Sequence, residues 1–110
     1  MSKIDRLETD VQRVIADIIE NEVKDDLGFM TITDVEITNE LSYMYVYYTV
    51  YGDDDEIERT KETLERAKGF IKNKIAARVK MRKVPELVFQ YDKSEEKGRR
   101  IDRLIREIKD

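Results

Sequence analysis

Hydrophobic positions near the beginning of the chain recur at helical spacing. They are separated by three or four residues and comprise Ile4, Leu7, Val11, Val14, Ile15 and Ile18. Ser2 is placed to cap the start of this segment, and Gly28 is a helix-breaking residue that follows the end of the helix. The pattern predicts an amphipathic helix.

Two β-strand patterns follow this helix. The first runs from Phe29 to Ile37, and its apolar phase switches between Ile32 and Val35, which indicates a twist or bulge. The second alternates strictly, with Met44, Val46, Tyr48 and Val50 on one face and Tyr43, Tyr45, Tyr47, Thr49 and Tyr51 on the other. The connection 38–42 is short enough to predict a hairpin.

A long helical pattern begins after Gly52. Its first turn receives an N-cap and negative charge, which the helix dipole favours, from Asp53, Asp54, Asp55 and Glu56. The apolar positions at helical spacing are Ile57, Leu64, Ala67, Ile71, Ile75 and Val79. Gly69 interrupts this pattern and costs ~1 kcal/mol of helix propensity relative to Ala. The sequence therefore predicts a kink that divides the segment into two helices, and we expect Gly69→Ala not to stabilise the chain.

The last part of the chain has a strand pattern and then a helical one. Pro85 opens the strand, in which Leu87, Phe89 and Tyr91 alternate with Val88 and Gln90. Ser94 begins a last helix whose apolar stripe is Ile101, Leu104, Ile105 and Ile108. The order α-β-β-α-kink-α-β-α predicts an α+β fold in a single domain, 1–110. We expect a three-stranded sheet covered by helices on one face and open on the other.

The composition excludes most catalytic chemistry. The 110 residues include no Cys and no His, so the usual metal ligands and the usual proton shuttle at neutral pH are missing. The acidic run at 53–56 lacks the ligand spacing of a calcium site. We therefore expect no enzyme activity, no metal and no cofactor. No apolar run reaches the ~18 residues of a membrane span, and we expect a cytoplasmic protein.

One stretch of this acidic chain is strongly basic. Between positions 66 and 83 there is no Asp or Glu, and the basic residues are Arg66, Lys68, Lys72, Lys74, Arg78, Lys80, Arg82 and Lys83. This run predicts a phosphate-bearing partner. Because the net charge is −4, only a localised and oriented contact fits. The alternative is a solvated helix face whose charges are complemented by Asp and Glu elsewhere.

Several short motifs, in order along nearly the whole chain, resemble the bacterial ribosome-binding factor A family. They are Gly28-Phe29, Thr31-Ile32-Thr33-Asp34-Val35, Leu41-Ser42-Tyr43, Val46-Tyr47, Ala67-Lys68-Gly69-Phe70-Ile71, Val84-Pro85-Glu86-Leu87-Val88-Phe89, Asp92-Lys93-Ser94 and Gly98-Arg99-Arg100-Ile101-Asp102. The resemblance implies a type II KH-like fold. It also implies a monomeric factor that binds the small ribosomal subunit and its rRNA during late maturation and rRNA processing, near the decoding neck, with ribosomal proteins as further partners.

The kink motif decides what kind of RNA contact the resemblance implies. A KH domain that clamps nucleic acid uses Gly-x-x-Gly, whose glycines let the backbone approach phosphates. This chain has Ala67 and Gly69 instead, as the family's Ala-x-Gly does. We therefore expect Ala67 and Gly69 to shape the kink and the eight basic side chains to contact phosphates. The chain departs from the family in two places: the turn Asp25-Asp26-Leu27-Gly28 has neither the proline nor the arginine of the family's Asp-Pro-Arg, and the sequence ends at Asp110 without the charged tail of some members.

The tyrosines of the second strand leave a second interpretation open. Tyr43, Tyr45, Tyr47 and Tyr51 could stack bases if their face is open, but tyrosine is also common in strands for structural reasons. Three classes of function therefore remain: an RNA-binding assembly factor, a protein-interaction module using the tyrosine face or the acidic surface, and a scaffold without activity.

Overall fold

The first helix carries the apolar stripe predicted from its spacing. The computed structural model describes residues 3–92, so the predicted cap at Ser2 and the predicted last helix from Ser94 lie outside the described residues. Helix α1 spans Lys3–Asn21. Val11, Ile15 and Ile18 are completely buried in the core, because residues three and four apart share one face of a helix.

The predicted hairpin is confirmed. Strand β1 spans Met30–Ile37 and β2 spans Tyr43–Val50, and the two pair antiparallel. The chain reaches β1 through Gly28, whose φ of 65° lies in the left-handed region that glycine tolerates. The register shifts between Ile32 and Asp34, so the irregularity predicted from the change of apolar phase is present.

A single long helix connects the hairpin to the last strand. Helix α2 spans Asp54–Arg78, and the carboxylate of Asp53 caps it by accepting a hydrogen bond from the backbone N–H of Glu56 at 2.9 Å. The prediction that Gly69 divides this segment into two helices is wrong, because the helix continues through it. Burial of Leu64, Ala67 and Ile71 offsets the helix propensity that one glycine costs.

Strand β3 completes a mixed sheet. It spans Glu86–Tyr91 and pairs parallel with β2, which gives the strand order β1-β2-β3. A parallel pair needs a long crossover connection, and α2 provides it. The sheet therefore has β2 at its centre.

The two helices and one face of the sheet enclose one hydrophobic core. The core face of β2 is the one predicted from strand alternation, with Met44, Val46, Tyr48 and Val50 buried. The hydroxyl of the buried Thr60 on α2 donates to the backbone carbonyl of Leu27 at 3.0 Å, which ties the turn before β1 to α2. Among residues 3–92, no helix is long and apolar enough to cross a membrane.

Candidate nucleic-acid interface

The loop between α2 and β3 holds three of the predicted phosphate-binding residues close together. Val79 and Pro85 are buried at its two ends, and Met81 packs against the core. Between these anchors, Lys80, Arg82 and Lys83 are exposed. Within residues 3–92, none of the three forms an ion pair within 4.0 Å. Among the described residues, these three cations therefore lie without an acidic partner on an anchored loop, which we call the exit loop (79–85).

The two basic residues nearest the end of α2 are bound to acids of α1. Arg78 donates from Nη1 to the carboxylate of Asp17 at 2.7 Å and to that of Glu22 at 3.1 Å, and Lys74 Nζ lies 3.3 Å from Glu22. The hydrogen bonds from Arg78 and then from Asn21 hold the pKa of Asp17 below its usual value. The same pairing raises the pKa of Arg78.

The other three predicted phosphate-binding residues on α2 have different partners. Lys72 Nζ lies 3.4 Å from the carboxylate of Glu86 at the start of β3, and Lys68 Nζ lies 3.1 Å from that of Glu65. Arg66 donates from Nη2 to the hydroxyl of Thr63 at 3.2 Å. Four of the five predicted phosphate-binding residues on α2 therefore form exposed or half-exposed ion pairs with acidic partners.

These contacts show how the eight residues are arranged. Lys74 and Arg78 meet α1, whereas Lys72 meets β3 on the other side of α2. The eight do not form one uninterrupted cationic face, because carboxylates lie between them. The alternative interpretation expected complementary Asp and Glu, and within residues 3–92 these are present along the helix but form no ion pair with the exit loop. A role of all eight residues in phosphate binding stays a prediction.

The predicted kink motif has one buried and one open position. Ala67 is buried in the core, so a larger side chain there is expected to overpack it. Gly69 is exposed, and a Cβ added there would meet nothing within 4 Å. A ligand backbone could therefore come close to the helix at Gly69. A bend of the helix axis at this point stays a prediction.

Sequence reasoning missed one residue of this region. Phe70 follows Gly69, is 43% exposed, and has the ammonium of Lys74 over its ring at 5.4 Å from the centroid. The available signal was that this large apolar residue lies off the apolar stripe of α2. Such a ring beside cations can stack on a base or sugar.

Comparison with known proteins agrees with this fold. The family model described as Ribosome-binding factor A matches residues 3–105. Two curated relatives of that name are each 46% identical to the chain. That of Staphylococcus epidermidis aligns over 96% of this chain and 92% of its own, and that of Staphylococcus carnosus over 98% and 96%.

Solved structures with a similar fold are also described as ribosome-binding factor A. The crystal structure of ribosome-binding factor A from Thermus thermophilus matches with a TM-score of 0.72 and 26% identity, over 82% of this chain and 97% of its own. The solution structure of a Thermotoga maritima protein, a putative ribosome binding factor A, matches with a TM-score of 0.70 and 30% identity, over 84% and 89%. A homology model of the Thermus protein, fitted into a cryo-EM map of its complex with 30S, matches with a TM-score of 0.65 and 27% identity, over 81% and 94%.

The fold and the matches together define the class of this molecule as a KH-like α+β protein, as predicted. The chain belongs to the ribosome-binding factor A family.

Proposed function

We propose that this chain, acting as a single-domain monomer in the cytoplasm, is a ribosome assembly factor. In this proposal it binds the small ribosomal subunit and its rRNA during late maturation and rRNA processing. The observation that carries the proposal is the exit loop, where Lys80, Arg82 and Lys83 are exposed and hold no ion pair within residues 3–92. Family membership and the 30S complex of the Thermus relative support it.

The exit loop supplies the first phosphate contacts. Lysine and arginine neutralise phosphates and release condensed counterions, which gives binding energy that depends on salt. The buried Val79 and Pro85 fix the ends of the loop, so little chain entropy is lost when the three cations meet the RNA backbone.

The cations of α2 that are paired with carboxylates extend the RNA contact when phosphates replace those carboxylates. Exposed ion pairs contribute little to stability, so an rRNA phosphate can replace Glu86 at Lys72 or Glu22 at Lys74. Arg78 is held more firmly because two carboxylates share it. The expected order of engagement is therefore the exit loop first and the α2 cations second.

The proposed recognition reads shape and phosphate more than base sequence. The helix carries Gly69 alone in place of the two glycines of a nucleic-acid clamp, and side chains dominate the contact. We propose that the chain acts by binding and not by catalysis, because neither His nor Cys is available to it and its Ser and Thr hydroxyls have no such base to activate them.

Charge reversal tests the proposed site. The triple variant Lys80→Glu, Arg82→Glu, Lys83→Glu should abolish co-sedimentation with immature small subunits. The control triple Lys3→Glu, Lys24→Glu, Arg59→Glu changes the same residue types, all exposed, and should bind nearly as well as the parent. Equal loss from both triples would show that the exit loop is not the site.

Salt dependence tests the chemical class of the partner. If about four to six basic residues meet phosphates, the log–log salt slope for a small-subunit rRNA fragment should be roughly −3 to −5. In the triple variant Lys80→Ala, Arg82→Ala, Lys83→Ala, which removes the charges without reversing them, the slope should become shallower by about 2 to 3. Fluorescence titration at several potassium concentrations measures both. A flat response with retained binding to intact subunits would move the contact to ribosomal proteins and favour a protein-interaction module.

A further inference from the structure

Strand β1 lies at one edge of the sheet, because the strand order is β1-β2-β3. In an antiparallel pair, residues that bond to the neighbouring strand alternate with residues whose N–H and C=O point away from it. Tyr51 N donates to Phe29 O at 2.8 Å, and Thr38 N donates to Tyr43 O at 3.0 Å, so these two pairs bond to each other. Following the register inward from both pairs gives the amides of β1 that point away from β2, which are Met30, Ile32, Val35 and Ile37.

The second half of this edge is closed by carboxylates of the chain itself. The amide of Val35 donates to Oδ1 of Asp34 at 2.9 Å, and that of Ile37 donates to Oε2 of Glu8 at 2.8 Å. The register shift between Ile32 and Asp34 separates this half from the first one. Charged side chains and bulges are the means by which proteins keep edge strands from pairing with other chains. The chain uses both on the second half of β1.

The first half of the edge is open. Within residues 3–92, the outward amides of Met30 and Ile32 have no hydrogen-bond acceptor. Both residues are half-buried, and both line a groove with a volume of ≈ 390 Å³. Ala16 and Ile19 of α1 line the same groove. The open backbone groups therefore lie beside an apolar groove between α1 and β1, which we call the edge groove.

The charged residues that line the edge groove are all acidic. They are Glu20 near the end of α1 and Asp25 and Asp26 in the turn before β1, and all three are exposed. The carboxylate of Asp26 accepts a hydrogen bond from the backbone N–H of Gly28 at 2.8 Å. Within residues 3–92, none of the three acids forms an ion pair. This charge favours a cationic partner.

We propose that the open half of β1 binds an extended basic segment of a partner protein as an additional strand. The backbone of that segment pairs antiparallel with Met30 and Ile32, and main-chain hydrogen bonds of this kind are a general mode of peptide recognition. Directly opposite side chains share one face of a sheet, so alternate residues of the segment enter the groove against Ile19. Lysine or arginine beyond them meets Asp25. The partner is thus an apolar-x-apolar sequence flanked by basic residues.

The charge of the edge groove selects this occupant over two others. A nucleic acid would bring phosphates to Glu20, Asp25 and Asp26, which repel them. A second copy of the chain, pairing through its own β1, would bring its own three acids into the same groove. The segment 93–110 follows β3, the strand at the opposite edge of the sheet. The experiment uses the full chain, so that this segment competes for the groove.

The proposal goes beyond the proposed function and can fail separately from it. The exit loop lies between α2 and β3, whereas the edge groove lies between α1 and β1, and the two sites have opposite charge. The exit-loop triple variant Lys80→Glu, Arg82→Glu, Lys83→Glu should therefore bind a basic peptide as well as the parent does. Loss of rRNA binding alone leaves the edge groove intact.

Amide hydrogen exchange of the full isotope-labelled chain, followed by NMR, tests the proposal. The probe is a synthetic peptide with valine at alternate positions, threonine between them and two lysines at each end. In the free chain, the amides of Met30 and Ile32 should exchange faster than those of Val35 and Ile37, which are already bonded. Peptide at ten times its Kd should slow exchange at Met30 and Ile32 about tenfold and leave Val35 and Ile37 nearly unchanged.

Two control peptides separate strand pairing from charge. In one, the valine amides are N-methylated, which removes the donors that would pair with β1. In the other, glutamate replaces lysine. Neither should slow exchange at Met30 or Ile32. Equal slowing by the N-methylated peptide would overturn strand pairing, and equal slowing by the glutamate peptide would overturn the choice of a basic partner.

The free chain also provides outcomes that would overturn the proposal. Slow exchange at Met30 and Ile32 at every protein concentration would mean that another part of the chain, such as the segment 93–110, already pairs with this edge. Slow exchange that increases with protein concentration would mean that a second copy occupies it. Unchanged exchange at millimolar peptide would mean that the edge accepts no such strand.

Matched variants identify which side chains form the groove. Ala16→Gln fills part of it and should weaken the lysine peptide about fourfold, the factor that one lost CH₂ contact represents, whereas Ala76→Gln on α2 should have little effect. Asp25→Asn should weaken binding by up to about fivefold, the range of an exposed ion pair. Asp55→Asn makes the same change at another site and should bind as the parent does. All four residues are exposed, and equal weakening within either pair would overturn the assignment of the groove.

Discussion

Arg78 Nη1 on α2 donates to Oδ2 of Asp17 on α1 at 2.7 Å, and this contact joins the two helices at their exposed edge. Arg78 is also one of the residues predicted to bind phosphate. Asp17 therefore competes with any phosphate for the same guanidinium. The pair couples a stabilising contact of the free chain to the proposed binding surface.

Removal of this competitor should strengthen RNA binding. Asp17→Asn keeps the size of the side chain but loses its charge, so Arg78 becomes more available to phosphate. We expect affinity for a small-subunit rRNA fragment to rise by up to about fivefold, the most that an exposed ion pair commonly contributes. Fluorescence titration measures the change. Glu20→Gln, an exposed position on the same helix, controls for net charge, and an equal rise in that variant would contradict the prediction.

The same pair should contribute to the pH dependence of stability. The hydrogen bond from Arg78 lowers the pKa of Asp17 from 3.8. A lowered carboxyl pKa gives stability that is present above the unfolded-state pKa and is lost as pH falls through the folded-state pKa. Urea denaturation of the parent and Asp17→Asn should show a parent advantage at neutral pH that disappears in acid. An advantage that persisted there would show that charge is not its source.

Gly69→Ala should stabilise the chain. The helix is continuous through Gly69 and an added Cβ would meet nothing within 4 Å, so alanine gains about 0.5–1 kcal/mol of helix propensity. This reverses the expectation from sequence alone. A thermal melt measures the gain. Unchanged stability would restore the interpretation of a kink that needs glycine, whereas higher stability with weaker rRNA binding would show that the glycine admits a ligand.

The carboxylate of Glu8 on α1 bonds to the end of β1, and its pKa predicts how stability changes with pH. Its Oε2 accepts a hydrogen bond from the backbone N–H of Ile37 at 2.8 Å, and burial raises its pKa from 4.5. A raised carboxyl pKa means that stability declines as pH rises through the range above 4.5. Glu8→Gln removes the charge and keeps an acceptor, so its free energy of unfolding relative to the parent should improve as pH rises from about 4 to about 7.

A truncation at the same position separates the hydrogen bond from the charge. Glu8→Ala leaves the Ile37 N–H without this acceptor and should cost about 1–3 kcal/mol at neutral pH. Urea denaturation of the parent, Glu8→Gln and Glu8→Ala at both pH values gives all the comparisons. Equal loss in the two variants would show that the charge itself holds the strand.

Most of the fold follows from local patterns in the sequence. The alternation of β2 predicted which side chains enter the core, and the phase change after Ile32 predicted the register shift. The division of α2 at Gly69 was wrong because helix propensity is a local quantity, whereas the burial of Ile71 and Ile75 that holds the helix together comes from tertiary packing.

The candidate site was harder to predict for a related reason. The run of basic residues is visible in the sequence, but apart from Glu65 beside Lys68 the acids that pair with it come from distant positions. Asp17 and Glu22 lie on α1, and Glu86 lies on β3. Only the packing of α1 and β3 on the two sides of α2 shows which cations are already occupied. The exit loop is distinguished by the absence of such neighbours within residues 3–92.

The parallel pairing of β2 with β3 has a consequence for the order of synthesis and folding. The hairpin can close as soon as β2 is made, but β3 follows only after the whole of α2. Until then β2 is an edge strand whose backbone groups on one side lack their final partner, a state prone to pairing with other chains. A nascent chain that stopped before Glu86 would keep this edge, so complete translation protects the central strand from aggregation.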